Sequence, residues 1–146
     1  MCFESKSEYN PMDKSNEIFN IVKKYSPTAD MISGDDFKYI KAVNSVGSEL
    51  VIDIDSKEIT LFFGNWHTHY YNDLSEYELF IENLTDIFNN RKFAVSAFLE
   101  DMAVCVFLSE TAELDITSLR EEVGTDKIIV CSFWDSSKNI TFNAET

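Results

Sequence analysis

Glycine, proline and cysteine are scarce in this chain, with four, two and three copies among its 146 residues. The few glycines form no GxGxxG motif and no phosphate-binding loop, so nucleotide binding through such a loop is not expected. The cysteines (Cys2, Cys105 and Cys131) form no CxxC or CxxH pair, which argues against a zinc knuckle and favours a reducing compartment. Because no linker rich in proline, glycine or serine divides the sequence, we predict one domain over residues 1–146.

Long apolar runs are also missing. No segment approaches the roughly 20 consecutive apolar residues that cross a membrane. The N-terminal segment from Met1 to Lys6 is too polar for a secretory signal. We therefore predict a cytoplasmic protein without a membrane partner.

Basic side chains are in a clear minority, with 12 lysines and arginines against 26 aspartates and glutamates and a formal net charge of -14. This charge disfavours nucleic acids and anionic membranes, because their phosphates would be repelled. It favours a basic protein partner, although a solvated acidic surface without a partner explains it equally well. Apolar residues make up 45% of the chain, which predicts a packed core rather than disorder.

The pattern of apolar residues predicts helices and hairpins in alternation. After a loose arm over residues 1–9, Asn10-Pro11 has the chemistry of a helix start, and Ser26-Pro27 ends that helix. Alternating apolar residues then predict a strand at 37–43 and a hairpin at 50–63, closed by a turn at 55–58.

The second half of the chain repeats this order. Asp73 with Glu76 resembles a capping box that opens a second helix, and a hairpin follows at 93–108. A short helix at 117–123 precedes a last hairpin at 128–142. Because tight turns join antiparallel strands, we predict an α+β fold with one antiparallel sheet of six or seven strands, built from hairpins and packed by two main helices on one face.

The segment Trp66-His67-Thr68-His69-Tyr70-Tyr71 contains the only two histidines of the chain. If the strand that begins at Ile59 runs through it unbroken, both imidazoles share a face with the apolar residues Leu61 and Phe63. A bulge or turn at Gly64-Asn65 would place them on the opposite face.

The segment has three interpretations. His67 and His69 could bind zinc or another divalent metal, with a third ligand from Asp53, Asp55 or Asp73. Alternatively, the imidazoles only form hydrogen bonds at the sheet edge. In the third interpretation the segment is a contact surface for another protein, because tryptophan and tyrosine are enriched in binding hot spots. The residues of this predicted partner-binding surface are Trp66, His67, His69, Tyr70, Tyr71 and Asp73.

The sequence WHTH after an apolar strand resembles the zinc-binding HxH of the JAMM/MPN metalloproteases. That resemblance implies His67 and His69 as ligands, with Ser75 and an acid near Glu78 completing the motif. The chain departs from the family at Tyr70, where the family has proline, and in the placing of its Ser-Asp pair. We therefore do not favour a JAMM/MPN-like function.

A second resemblance rests on Phe63-Gly64-x-Trp66-His67-Thr68-His69-Tyr70 after a hairpin strand in a small acidic chain. In these features the chain is similar to uncharacterised bacterial proteins of the toxin-immunity type. The resemblance implies a role without catalysis, in which the protein binds and masks the active site of a toxin.

The sequence thus predicts a non-catalytic protein-binding protein, an immunity factor for a basic toxin or another basic partner, with no cofactor. The alternative is a metal-dependent hydrolase or metal-binding protein that uses His67 and His69. The sequence leaves the oligomeric state open, a homodimer included.

Overall fold

The computed structural model describes residues 9–44 and 48–145, which form three α-helices and nine strands. The helices are α1 (Ser15–Tyr25), α2 (Leu74–Phe88) and α3 (Ile116–Val123). The strands are β1 (Asp30–Ser33), β2 (Phe37–Val43), β3 (Glu49–Asp55), β4 (Glu58–Phe63), β5 (Trp66–Tyr71), β6 (Ala94–Leu99), β7 (Met102–Leu108), β8 (Ile128–Ser132) and β9 (Ile140–Phe142).

Side-chain caps open α2, α3 and the short 3-10 turn that precedes α1. Asn10 accepts a hydrogen bond from the backbone N–H of Met12 and opens a 3-10 turn, Pro11–Lys14, that leads into α1. Asp73 caps α2 through the N–H of Ser75, and Asp115 caps α3. Such oxygens satisfy the N–H groups that a helix start leaves without a partner.

The strands form two antiparallel sheets. Five strands pair in the order β1-β2-β3-β4-β5, and four pair in the order β7-β6-β8-β9. The α+β class is therefore confirmed, whereas the single sheet of six or seven strands is wrong. Two strands account for the difference in number: β1 was not predicted, and the segment from Ile59 to Tyr71 is a hairpin rather than one strand.

Helices α1 and α2 both pack against one face of the five-stranded sheet, which we call the covered face. Their buried apolar residues, Ile18 and Val22 in α1 and five residues of α2, belong to one core cluster with the inward residues of β2 to β5. The prediction of two helices on one face thus holds for this sheet. A second cluster lies between the four-stranded sheet and α3.

Most of the predicted N-terminal arm lies outside the described residues. Its last residue, Tyr9, is described and packs against the first core cluster, with its ring centroid 5.8 Å from that of Tyr77. Partial burial and the carboxylate of Glu17 raise the pKa of Tyr9 to about 12. Tyr77 donates its hydroxyl hydrogen to Glu17, which ties α2 to α1.

The turn between β4 and β5 depends on Gly64, whose φ of 61° lies in the left-handed region. Its missing Cβ would lie 3.5 Å from the Cβ of Ala94, an ordinary contact, so space alone permits a side chain there. We expect Gly64→Ala to lower the free energy of unfolding by about 1–2 kcal/mol, which is the cost of a residue with a Cβ in the left-handed backbone conformation. Urea unfolding of the variant and the parent chain measures this difference.

The matched control is Gly64→Asn, because asparagine enters the left-handed region more readily than alanine. We expect it to retain more stability than Gly64→Ala. Equal stability of the alanine variant and the parent chain would contradict a left-handed backbone at this turn.

Candidate functional site

The hairpin of β4 and β5 places both histidines on the face that the helices do not cover. Gly64 and Asn65 form the turn, and the register pairs Phe62 with His67 and Thr60 with His69. Alternation therefore restarts after the turn. Of the two alternatives drawn from the sequence, the unbroken strand with the imidazoles on the apolar face is wrong, and the turn at Gly64-Asn65 with the imidazoles on the opposite face is confirmed. Trp66, Thr68 and Tyr70 instead lie on the covered face, opposite Phe63, Leu61 and Ile59.

We call the opposite side of this sheet the open face. In the described part of the chain, the buried apolar residues of α1 and α2 all join the covered-face cluster, and none packs on the open face. The registers of the five strands give its residues: Asp30 and Ile32 on β1; Phe37, Tyr39, Lys41 and Val43 on β2; Glu49, Val51, Asp53 and Asp55 on β3; Glu58, Thr60 and Phe62 on β4; His67, His69 and Tyr71 on β5.

The open face is unusually apolar for a surface that none of the described helices covers. Antiparallel sheets with one solvated face commonly carry polar side chains on it. Here Tyr71 is 60% exposed and Ile32 is 58% exposed. Phe37, Phe62 and Val43 are also exposed, so five of the eleven exposed large apolar residues in the described ranges share this face. A sheet face that carries this share of the exposed apolar side chains is a candidate interaction site.

The same face carries an excess of negative charge. Among the described residues of this face, five carboxylates, those of Asp30, Glu49, Asp53, Asp55 and Glu58, accompany a single lysine and no arginine. That cation is Lys41, whose Nζ lies 3.0 Å from Glu49 Oε2. The open face is therefore negatively charged, as the whole chain is, and it also exposes aromatic rings.

The two imidazoles contact each other and their neighbours on β4. The rings of Phe62 and His67 are stacked with centroids 5.4 Å apart, and His67 meets His69 edge to face at 5.5 Å. His69 Nδ1 lies 3.0 Å from Glu58 Oε1 and 3.1 Å from Thr60 Oγ1, within hydrogen-bond distance of both. These contacts fix the position of His69 beside an acidic group.

The metal hypothesis needs a third ligand beside His67 and His69. Across residues 9–44 and 48–145, no group of three or more histidine, cysteine, aspartate or glutamate side chains is placed to hold a metal ion. Asp73 has another role, because the hydroxyl and backbone N–H of Ser75 donate to it as a helix cap and lower its pKa.

The other residues of the JAMM/MPN-like motif lie in a helix. Ser75 and Glu78 fall in the first turns of α2, and Ser75 donates its hydroxyl to Asp73 at 2.7 Å. The chain thus departs from that family in this placement as well as at Tyr70.

Two residues of the predicted contact surface are inward. Tyr70 is 2% exposed, and its hydroxyl accepts a hydrogen bond from Asn83 Nδ2 at 2.8 Å. Burial raises its pKa to about 12. Trp66 is partly buried against the first core cluster. We therefore place neither residue in the contact surface, while His67, His69 and Tyr71 lie on the open face and Asp73 is exposed at the start of α2.

Several residues of the open face were not singled out from the sequence. Phe37, Tyr39 and Phe62 are the main aromatic ones. The sequence carried a signal for Phe62, which lies between the buried residues Leu61 and Phe63, and for Tyr39, which precedes the buried Ile40. The alternative with a turn at Gly64-Asn65 puts Phe62 and the histidines on one face, so that choice alone would have identified Phe62 as a neighbour of His67.

Comparison with known proteins gave no match to a family model, a curated protein or a solved structure. Within the described ranges, none of the helices combines the length and apolar character needed to cross a membrane.

Proposed function

We propose that the protein binds a basic protein partner through the open face, without catalysis, and that it acts as an immunity factor that masks a basic toxin. The observation that carries this proposal is the coincidence of exposed aromatic and aliphatic side chains with five carboxylates on one uncovered sheet face. Apolar anchors supply binding energy, and the charge selects and attracts a basic surface.

Charge complementarity favours a basic protein over the other possible occupants. A second copy of this chain would bring a like-charged face against the open face, at an electrostatic cost of several kcal/mol. A nucleic acid or an anionic membrane would meet the same repulsion. A basic surface gains from both the carboxylates and the apolar side chains.

The direct test is co-expression with the product of a toxin-like gene that neighbours the gene of this protein. We expect the two proteins to elute as one complex and the cells to survive toxin expression. We also expect association to slow steeply as salt is added, because exposed charges are screened. Separate elution together with cell death would contradict the proposal.

A pair of exposed substitutions locates the surface. Phe62→Ser should weaken the complex by about tenfold or more, as truncation of an aromatic anchor does. Leu79→Ser is the control, because Leu79 is 44% exposed on α2, whose packed face lies on the other side of the sheet, and it should leave affinity nearly unchanged. Equal weakening by both variants would remove the open face as the binding surface.

A further inference from the structure

Three carboxylates lie side by side in the open face. Asp53 and Asp55 point to the same side of β3, and Glu58 begins β4 across the turn from Asp55. Asp55 Oδ1 accepts the backbone N–H groups of Lys57 and Glu58 at 2.7 and 2.9 Å. In the described part of the chain, no ion pair joins a lysine or arginine to any of the three, and Glu58 meets only His69.

One of the three carboxylates, Asp53, carries its negative charge at a free-energy cost in the free protein. Partial burial and the neighbouring carboxylates of Asp55 and Glu58 raise the pKa of Asp53. A raised carboxyl pKa means that the surroundings disfavour the charged form. A cation placed among the three groups would reduce the repulsion between Asp53 and its neighbouring carboxylates. The free face is therefore expected to bind a positively charged group.

Aromatic rings border the carboxylates on both sides. The register places Tyr39 beside Asp53 and Phe37 beside Asp55 on the β2 side. On the β5 side, Tyr71 lies opposite Glu58. His69 lies two residues before Tyr71 in the same strand. Because neighbouring strands are about 4.8 Å apart, Tyr39 and Phe37 lie one strand from Asp53 and Asp55, and Tyr71 lies one strand from Glu58.

Carboxylates bordered by aromatic rings favour a guanidinium group over an ammonium group. A guanidinium is planar, is weakly hydrated, stacks on rings and binds carboxylates through two parallel hydrogen bonds. An ammonium is a strongly hydrated point charge that uses such a border less well. Cations over aromatic faces gain further attraction, and arginine does so more often than lysine.

We propose that Asp53, Asp55 and Glu58, with the rings of Phe37, Tyr39 and Tyr71, receive an arginine side chain of the basic partner. This inference rests on the proposed function and specifies the partner's contact group. The carboxylates pair with the guanidinium, and the rings pack against its plane and its alkyl stem.

The test uses three peptides of equal length and glycine-serine background that carry arginine, lysine or citrulline at the same positions. Citrulline keeps the shape of arginine without its charge. Fluorescence anisotropy at low salt should show the arginine peptide binding about tenfold tighter than the lysine peptide, and the citrulline peptide binding weakest. Equal affinity for the arginine and lysine peptides, or no binding of the arginine peptide, would overturn the inference.

Two variants separate the charge from the rings. Asp53→Asn should weaken arginine-peptide binding by about tenfold, whereas Asp101→Asn, the same change in an exposed turn of the other sheet, should not. Tyr71→Leu should reduce the preference for arginine over lysine to less than about threefold. An unchanged preference in Tyr71→Leu would contradict a role for the rings.

The two proposals fail in different ways. If the complex with the toxin-like protein forms but arginine and lysine peptides bind equally, the proposed function stands and the arginine inference fails. If the peptides show the arginine preference while the complex does not form, the site recognises arginine and the immunity role fails.

Discussion

The double substitution Asp53→Lys with Glu58→Lys is expected to weaken binding of the basic partner by about 100-fold. Both side chains lie on the open face, and neither has a lysine or arginine partner within the described ranges. Their replacement turns two attractive contacts into two repulsive ones. Loss of a close charge pair at an interface costs about 2–5 kcal/mol, so a hundredfold effect from two is a conservative expectation.

The control is Glu78→Lys with Glu82→Lys, which makes the same change in net charge at two exposed positions of α2. Both double variants change the overall charge of the protein equally, so both share any general effect of charge on association. We expect the affinity of the control for the basic partner to fall by less than about fivefold. Calorimetry or surface plasmon resonance at 0.15 M salt measures the difference. Equal loss in the two variants would show that net charge, rather than this face, attracts the partner.

The second large effect concerns the packing of α2 on the covered face. Phe80 is fully buried, and its ring meets that of Tyr70 edge to face at a centroid distance of 5.3 Å. We expect Phe80→Ala to lower the free energy of unfolding by about 3–5 kcal/mol, because it removes buried apolar surface and leaves a cavity. This is a large part of the roughly 5–15 kcal/mol that a domain has.

Leu79→Ala is the neighbouring control, since Leu79 is 44% exposed on the same helix. Urea unfolding should show a loss of about 0.5 kcal/mol, as for most surface positions. Similar losses in the two variants would mean that α2 does not pack through Phe80.

Much of the local structure could be predicted from the sequence, because local chemistry determines it. The caps at Asn10 and Asp73 and the hairpin turns at Asp55 and Glu100 depend on residues within a few positions of one another. The alternation in β3 was also visible, because its seven residues are enough to show period two.

The arrangement of the strands could not be predicted in the same way. Strand β1 has only four residues, Asp30–Ser33, and three of them are exposed, so it has little apolar periodicity. The division into two sheets depends on which hairpins pair, and sequence patterns do not give that information. The face of the histidines depended on one residue, because a turn at Gly64 moves every later side chain to the other side.

The separation of the two faces of the five-stranded sheet has an evolutionary consequence. Substitutions on the covered face carry core penalties, whereas exposed positions such as Ile32 and Tyr71 tolerate change at about 0.5 kcal/mol or less. Relatives of this chain can therefore change their partner by single substitutions on the open face, and each successive variant still folds. We expect sequence divergence among them to concentrate on the open face while the helix-facing residues drift slowly.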